Sequence, residues 1–174
     1  NGSDSADGLT PTGAVASITQ GVAKASAGDT VLVGDGTWTN EVTVNKQVTL
    51  RSQRGWRRTA INRGRSGGRC ITVPATNAIV RGFTLTGGLT NSPNAYGGGI
   101  YVSGQRGLVQ DCFIYGNEAT NGYGGGAYIY GDSGGIWGCT VYSNKAKYGG
   151  GIVLSEVTPY YISVIGCVVV GNWA

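Results

Sequence analysis

The sequence predicts an all-β chain, a right-handed parallel β-helix of about five to six coils opened by a short capping α-helix over about residues 12–25. Three observations lead there. Related segments recur at intervals of 25 to 28 residues. Within each segment apolar and polar residues alternate with period 2, the pattern of a strand with one covered face. Glycine supplies 33 of 174 residues with only 4 prolines and no collagen-like period, against an average glycine usage of about 7%. Glycine mixed with valine, isoleucine, threonine and tyrosine suits many short strands joined by turns.

One domain spans 1–174, read in three parts. Residues 1–30 form a cap region, where Thr12 is the expected N-cap, Val15, Ile18, Val22 and Ala25 make an apolar stripe, and Gly28 is the stop signal. Such a helix covers the open end of a solenoid, which otherwise exposes unpaired backbone groups. Residues 31–93 form irregular first coils, with IVRGFTLTGG (79–88) as a weak early copy of the repeat. Residues 94–174 carry the regular repeat. NAYGGGIYVSG (94–104), NGYGGGAYIYG (121–131) and AKYGGGIVLSE (146–156) align, and VQDCFIYGNEA (109–119), IWGCTVYSNKA (136–146) and VIGCVVVGNWA (164–174) align in turn.

The alternation puts Cys112 with Ile114, Cys139 with Val141, and Cys167 with Val169 on an inward face, leaving Phe113 and Tyr115 outward. Each unit is too short for a βαβ crossover and has no helical period. Coils stacked about 4.8 Å apart remain, with like residues above like residues.

These segments resemble the right-handed parallel β-helix superfamily that includes pectate lyases. GGGIYVSG and CFIYGNEA are similar to the repeats of bacterial surface β-helix proteins. The opening 50 residues resemble the N-terminal region of such proteins, with a capping helix, the GDTV strand (28–31) and a turn where Trp38 stands in place of a common tyrosine. The resemblance implies the fold, and it implies no single activity, because this fold hosts many.

The net charge of +4 is unevenly distributed. From Val42 to Gln110 there is no acid, while Lys46 and nine arginines lie there, Arg81 and Arg106 among them. Arg51, Arg54, Arg57, Arg58, Arg63, Arg65 and Arg69 are the candidate anion contacts, since guanidinium groups hold carboxylate, sulfate or phosphate bidentately; the other reading is a solvated loop. No nucleic-acid module accompanies them. No run of about 18 apolar residues marks a membrane span.

Tyr96, Tyr123 and Tyr148 precede the triple glycines and form a column, and Tyr101, Tyr128, Tyr115 and Tyr142 face outward on neighbouring strands. All seven are candidate glycan or partner contacts through their ring faces; the alternative is that they shield glycine-rich turns. Asn117, Asn144 and Asn172 form a structural ladder that bonds turn backbone. Cys112, Cys139 and Cys167 form a second ladder, either as buried free thiols or with one disulfide, and Cys70 stands apart.

Nine scattered acids and the absence of histidine leave no catalytic motif, no metal site and no cofactor site to assign. Asp111 is read as outward on a strand, where Gly138 and Gly166 follow in the later repeats. Both ends fall within a motif, as expected for a piece of a longer surface protein or for a coil that a neighbouring copy completes. The expected function is therefore a non-catalytic structural or adhesive module, extracellular or on the cell surface, which self-assembles end to end into a filament or belongs to a longer protein. The alternative is a carbohydrate-active or carbohydrate-binding protein, lyase-like or hydrolase-like, acting on acidic polysaccharide. The expected partners are thus a further copy of the chain or a polysaccharide.

Overall fold

The computed structural model describes residues 2–93, 95–156 and 161–174, and of Glu156 the backbone. Short strands follow one another around a single axis. The first coil holds β1 (Thr30–Val33), β2 (Gly36–Trp38) and β3 (Val42–Thr43), and the second holds β4 (Thr49–Ser52), β5 (Thr59–Asn62) and β6 (Ile71–Val73). In the third lie β7 (Ile79–Arg81), β8 (Thr84–Thr86), β9 (Leu89–Thr90) and β10 (Ile100–Val102). The fourth comprises β11 (Leu108–Gln110), β12 (Phe113–Tyr115), β13 (Glu118–Tyr123) and β14 (Ala127–Gly131). The fifth comprises β15 (Gly135–Trp137), β16 (Thr140–Tyr142), β17 (Lys145–Tyr148) and β18 (Ile152–Glu156), and β19 (Ser163–Ile165) and β20 (Val168–Val170) start the next. The whole is an all-parallel β-solenoid of about five turns.

Equivalent strands pair in parallel and build four faces. The first is β1-β4-β7-β11-β15-β19, the second β2-β5-β8-β12-β16-β20, the third β3-β6-β10-β14-β18, and a short fourth is β9-β13-β17. Register on the first face runs through Thr30, Thr49, Ile79, Leu108, Gly135 and Ser163 without a break. The irregularity of the early coils lies in their loops, and the ladder passes straight through them.

The core follows from period 2. Leu50, Val80, Val109 and Ile136 point inward from the first face, Ile61, Leu85, Ile114 and Val141 from the second, and Ile71, Ile100 and Ala127 from the third. All are fully buried. In β20 the equivalent residue, Val169, is about half exposed, at 49%.

The capping helix α1 spans Ile18–Lys24, later than Thr12 would start it. Ser17 is the N-cap, its hydroxyl accepting from the Gln20 N–H at 3.2 Å. The chain before it is held in turns: the Asp4 carboxylate accepts from the N–H groups of Ala16 and Ser17, each at 2.9 Å. Ile18 and Val22 are buried, with the helix lying against β1 and β3. Lys46 Nζ donates to the carbonyls of Ala23 and Ala25, which satisfies groups that a helix C-terminus leaves open.

The asparagine ladder ties the later coils together. Asn117 donates its backbone N–H and its side-chain amide to Asn144 Oδ1, both at 3.0 Å. Asn144 repeats the arrangement on Asn172 Oδ1, at 3.0 and 2.9 Å. Each amide also reaches a carbonyl of the preceding coil, Leu85 from Asn117, Ile114 from Asn144 and Val141 from Asn172, at 2.9 Å in every case. Replacing the fully buried Asn144 leaves several of these groups unpaired, at about 1–3 kcal/mol for each. Asn144→Ala is therefore expected to lower stability by about 3 kcal/mol or more, read as a lower urea midpoint with an unchanged slope.

Candidate functional site

The arginine-rich stretch does not converge on one patch. Arg54 pairs with Asp35, and Arg65 pairs with Glu118. Arg63 is spent on backbone, donating to the carbonyls of Thr39 and Gly67. Arg69 is half-buried, with its guanidinium 5.2 Å from the Tyr101 ring centre and Nε 3.3 Å from the Gly97 carbonyl. Its pKa is lowered by desolvation, against the opposing pull of Glu41. Residues adjacent in sequence thus leave the coil on different faces, and the expected single anion cluster reduces to Arg51, Arg57 and Arg58.

Those three surround Trp56, on a loop between β4 and β5 that internal bonds fix in place. Ser52 Oγ accepts from the Gly55 N–H at 2.9 Å and bonds Thr59 Oγ1 at 2.9 Å. The Thr84 hydroxyl donates to the Trp56 carbonyl at 2.8 Å, fastening the loop over the second face. Trp56 stacks on Phe113 at 4.9 Å between ring centres, Phe113 meets Tyr115 at 5.1 Å, and the Arg57 guanidinium covers the indole at 4.6 Å.

Two open grooves meet at this tryptophan. The larger, of about 530 Å³, runs over Thr37, Ala60, Thr84 and Phe113 and is bounded by Arg57, Arg58 and Tyr115. The smaller, of about 300 Å³, holds Arg51, Arg81 and Asp111. Asp111 sits on the turn after β11 with φ of 51°, not on a strand, and accepts from Arg81 Nε at 2.8 Å. Arg57 and Arg58 are exposed and, among the described residues, make no ion pair. Chemically the larger groove offers aromatic surface and cationic donors side by side. Trp56 and Phe113 carry no repeat signal, since Trp56 lies in a loop and Thr140 and Val168 occupy the register of Phe113. The one available signal was a tryptophan set within the arginine run.

The tyrosines before the triple glycines lie elsewhere, over the third and fourth faces. Tyr96 and Tyr123 stack at 5.9 Å, and Tyr123 and Tyr148 at 4.8 Å. Tyr101 and Tyr128 point away from the core, yet Tyr96 folds over both, at 5.7 and 4.5 Å. Tyr128 is consequently buried, so its ring is not an open contact surface. Tyr115 and Tyr142 are exposed on the second face.

The cysteines are free thiols. The Cys112 N–H donates to Cys139 Sγ at 3.3 Å, and the Cys139 N–H donates to Cys167 Sγ at 3.4 Å. Cys70 lies apart from this column, its thiol 3.3 Å from the Thr86 carbonyl and 3.6 Å from Asn117 Oδ1. Among the described residues no group of histidine, cysteine and acid side chains could hold a metal ion, and no helix is long and apolar enough to cross a membrane.

Burial pushes the Cys70 thiol up to about 12, so almost none is thiolate at neutral pH. Iodoacetamide at about pH 8 is expected to spare Cys70 in the folded protein and to alkylate it in urea, as peptide mass spectrometry would show. The hydrogen bond from Arg65 holds the Glu118 carboxyl below the ordinary range, against the opposing effect of its partial burial. A lowered carboxyl contributes stability above its unfolded value of about 4.3 and loses it as pH falls through the lower folded value. The fall in Tm between about pH 5 and about pH 3 is therefore expected to be smaller in Glu118→Gln than in the parent chain.

Compared with known proteins, the chain matches no protein-family model, no curated protein and no solved structure.

Proposed function

We propose that this β-solenoid is a non-catalytic adhesive module, extracellular or on the cell surface, which holds acidic polysaccharide in the groove beside Trp56. The observation that carries this reading is the meeting of exposed guanidinium groups and aromatic rings along one open groove: Arg57 and Arg58 with Phe113 and Tyr115. A carboxylated or sulfated sugar needs both features. Its anionic group takes bidentate hydrogen bonds from arginine, and the apolar face of its ring lies against an aromatic side chain. An open groove suits a polymer that passes through. Glycoside hydrolysis uses two placed carboxyl groups, and among the described residues these grooves are bordered by Asp111 alone, already paired with Arg81. Holding the polymer, without hydrolysing it, fits that composition. The repeat sequences support placing the chain beside the pectate-lyase-like β-helices.

Titration calorimetry with polygalacturonate, and with dextran as the neutral comparison, tests the proposal. The parent chain is expected to bind the acidic polymer and to weaken with added salt. The double variant R57S/R58S should lose at least about tenfold in affinity, about 1.4 kcal/mol. Tyr115→Ala should weaken binding in the same direction, and Arg106→Ser, on the turn between β10 and β11, should leave it unchanged. Equal affinity for dextran, or an unaltered R57S/R58S isotherm, would sink the reading.

A further inference from the structure

The tyrosine ladder has a chemistry that the polysaccharide groove does not use. We infer that Tyr123 and Tyr148 form a site of oxidative coupling, where a peroxidase with hydrogen peroxide links consecutive coils through dityrosine.

The pair is unusual among the aromatic residues of this chain. Tyr123 and Tyr148 are register partners on β13 and β17, after a break in register that follows Ala119, and that pairing sets both rings one strand spacing apart. Their ring centres are 4.8 Å apart and the planes differ by 25°. Tyr148 is 47% exposed, which opens one ring to an oxidant, while Tyr123 is held between it and Tyr96. The Tyr148 carbonyl accepts from the Gly124 N–H at 3.0 Å, a bond that ties one tyrosine's backbone to the residue after the other. Tyr115, Tyr130, Tyr142 and Tyr161 are also exposed, but among the described residues none of them contacts a second tyrosine ring. Tyr96 lies closer to Tyr128, at 4.5 Å, but Tyr128 is buried, and Tyr96 and Tyr123 are farther apart, at 5.9 Å, with both partly covered. Fixed proximity of two reacting groups replaces a bimolecular encounter, which is why this pair outcompetes coupling between molecules.

Each phenol gives one electron and one proton to the peroxidase haem that hydrogen peroxide has oxidised, and the peroxide leaves as two waters. The two phenoxyl radicals join at ring carbons next to the oxygens, forming one C–C bond. The hydrogens on those carbons move to the oxygens, restoring both phenols. The protein loses two hydrogen atoms in total.

Dilute folded protein treated with horseradish peroxidase and hydrogen peroxide is expected to gain dityrosine fluorescence while remaining monomeric on a denaturing gel. Its mass should fall by two hydrogen atoms, with the peptides of Tyr123 and Tyr148 recovered as one linked species, and its Tm should rise. Tyr148→Phe and Tyr123→Phe should each abolish the intramolecular product; phenylalanine keeps the ring in the stack, and circular dichroism confirms that both variants fold. Tyr142→Phe should couple like the parent chain. The inference is overturned if the link maps to another pair, if only intermolecular products form, or if Tyr148→Phe yields the same product. It is overturned equally if the folded parent chain stays unmodified while free tyrosine couples in the same tube. Neither polymer affinity nor the groove variants bear on these readouts.

Discussion

Each coil presents its backbone N–H and C=O groups along the solenoid axis, where only the coils above and below, in the same register, can satisfy them. Every position is thereby placed one strand spacing from its own equivalent, and side chains are selected for how well they tolerate their copies. Valine, isoleucine and leucine stack inside, amides chain through one another at Asn117, Asn144 and Asn172, and phenol rings lie on phenol rings. The triple glycines obey the same rule. A Cβ on Gly125 would lie 2.2 Å from the Lys145 carbonyl oxygen, so the turn can pass from coil to coil only without a side chain there.

Outward positions escape that constraint. On the second face one column reads Ala60, Thr84, Phe113, Thr140 and Val168, with size and polarity changing at nearly every step. The loop carrying Trp56 projects from the same face without disturbing the register of β4 and β5 with their neighbours. The candidate groove is made from this freedom: an outward aromatic that one coil carries alone, and an insertion that one coil can absorb. The scaffold contributes position, and the variable residues contribute chemistry.

What could be read from sequence follows the same division. The inward set, including Cys112 with Ile114 and the asparagines, was legible because period 2 and the long period reinforce each other. The helix start was legible too, in Ser17 with Gln20 three residues on, though Thr12 competes as a cap; what local propensity does not encode is the support of Ser17 by Asp4, thirteen residues earlier. Alternation gave the direction of Tyr101 and Tyr128 but not their burial, since the covering ring of Tyr96 comes from a separate turn. Arginines close in sequence looked like one patch because their acidic partners, Asp35 and Glu118, come from other coils. Trp56 and Phe113 were hidden for the opposite reason, as features that occur once in a chain read through its repeats.

The asparagine ladder has a direction. The bonds that end on an asparagine Oδ1 run from the earlier coil to the later one, from Gly88 to Asn117, from Asn117 to Asn144, and from Asn144 to Asn172, while each side-chain amide donates back to a carbonyl of the preceding coil. A coil with nothing stacked after it therefore keeps its side-chain amide bonded to the coil before, while its ladder N–H stays unanswered until a further coil supplies an Oδ1.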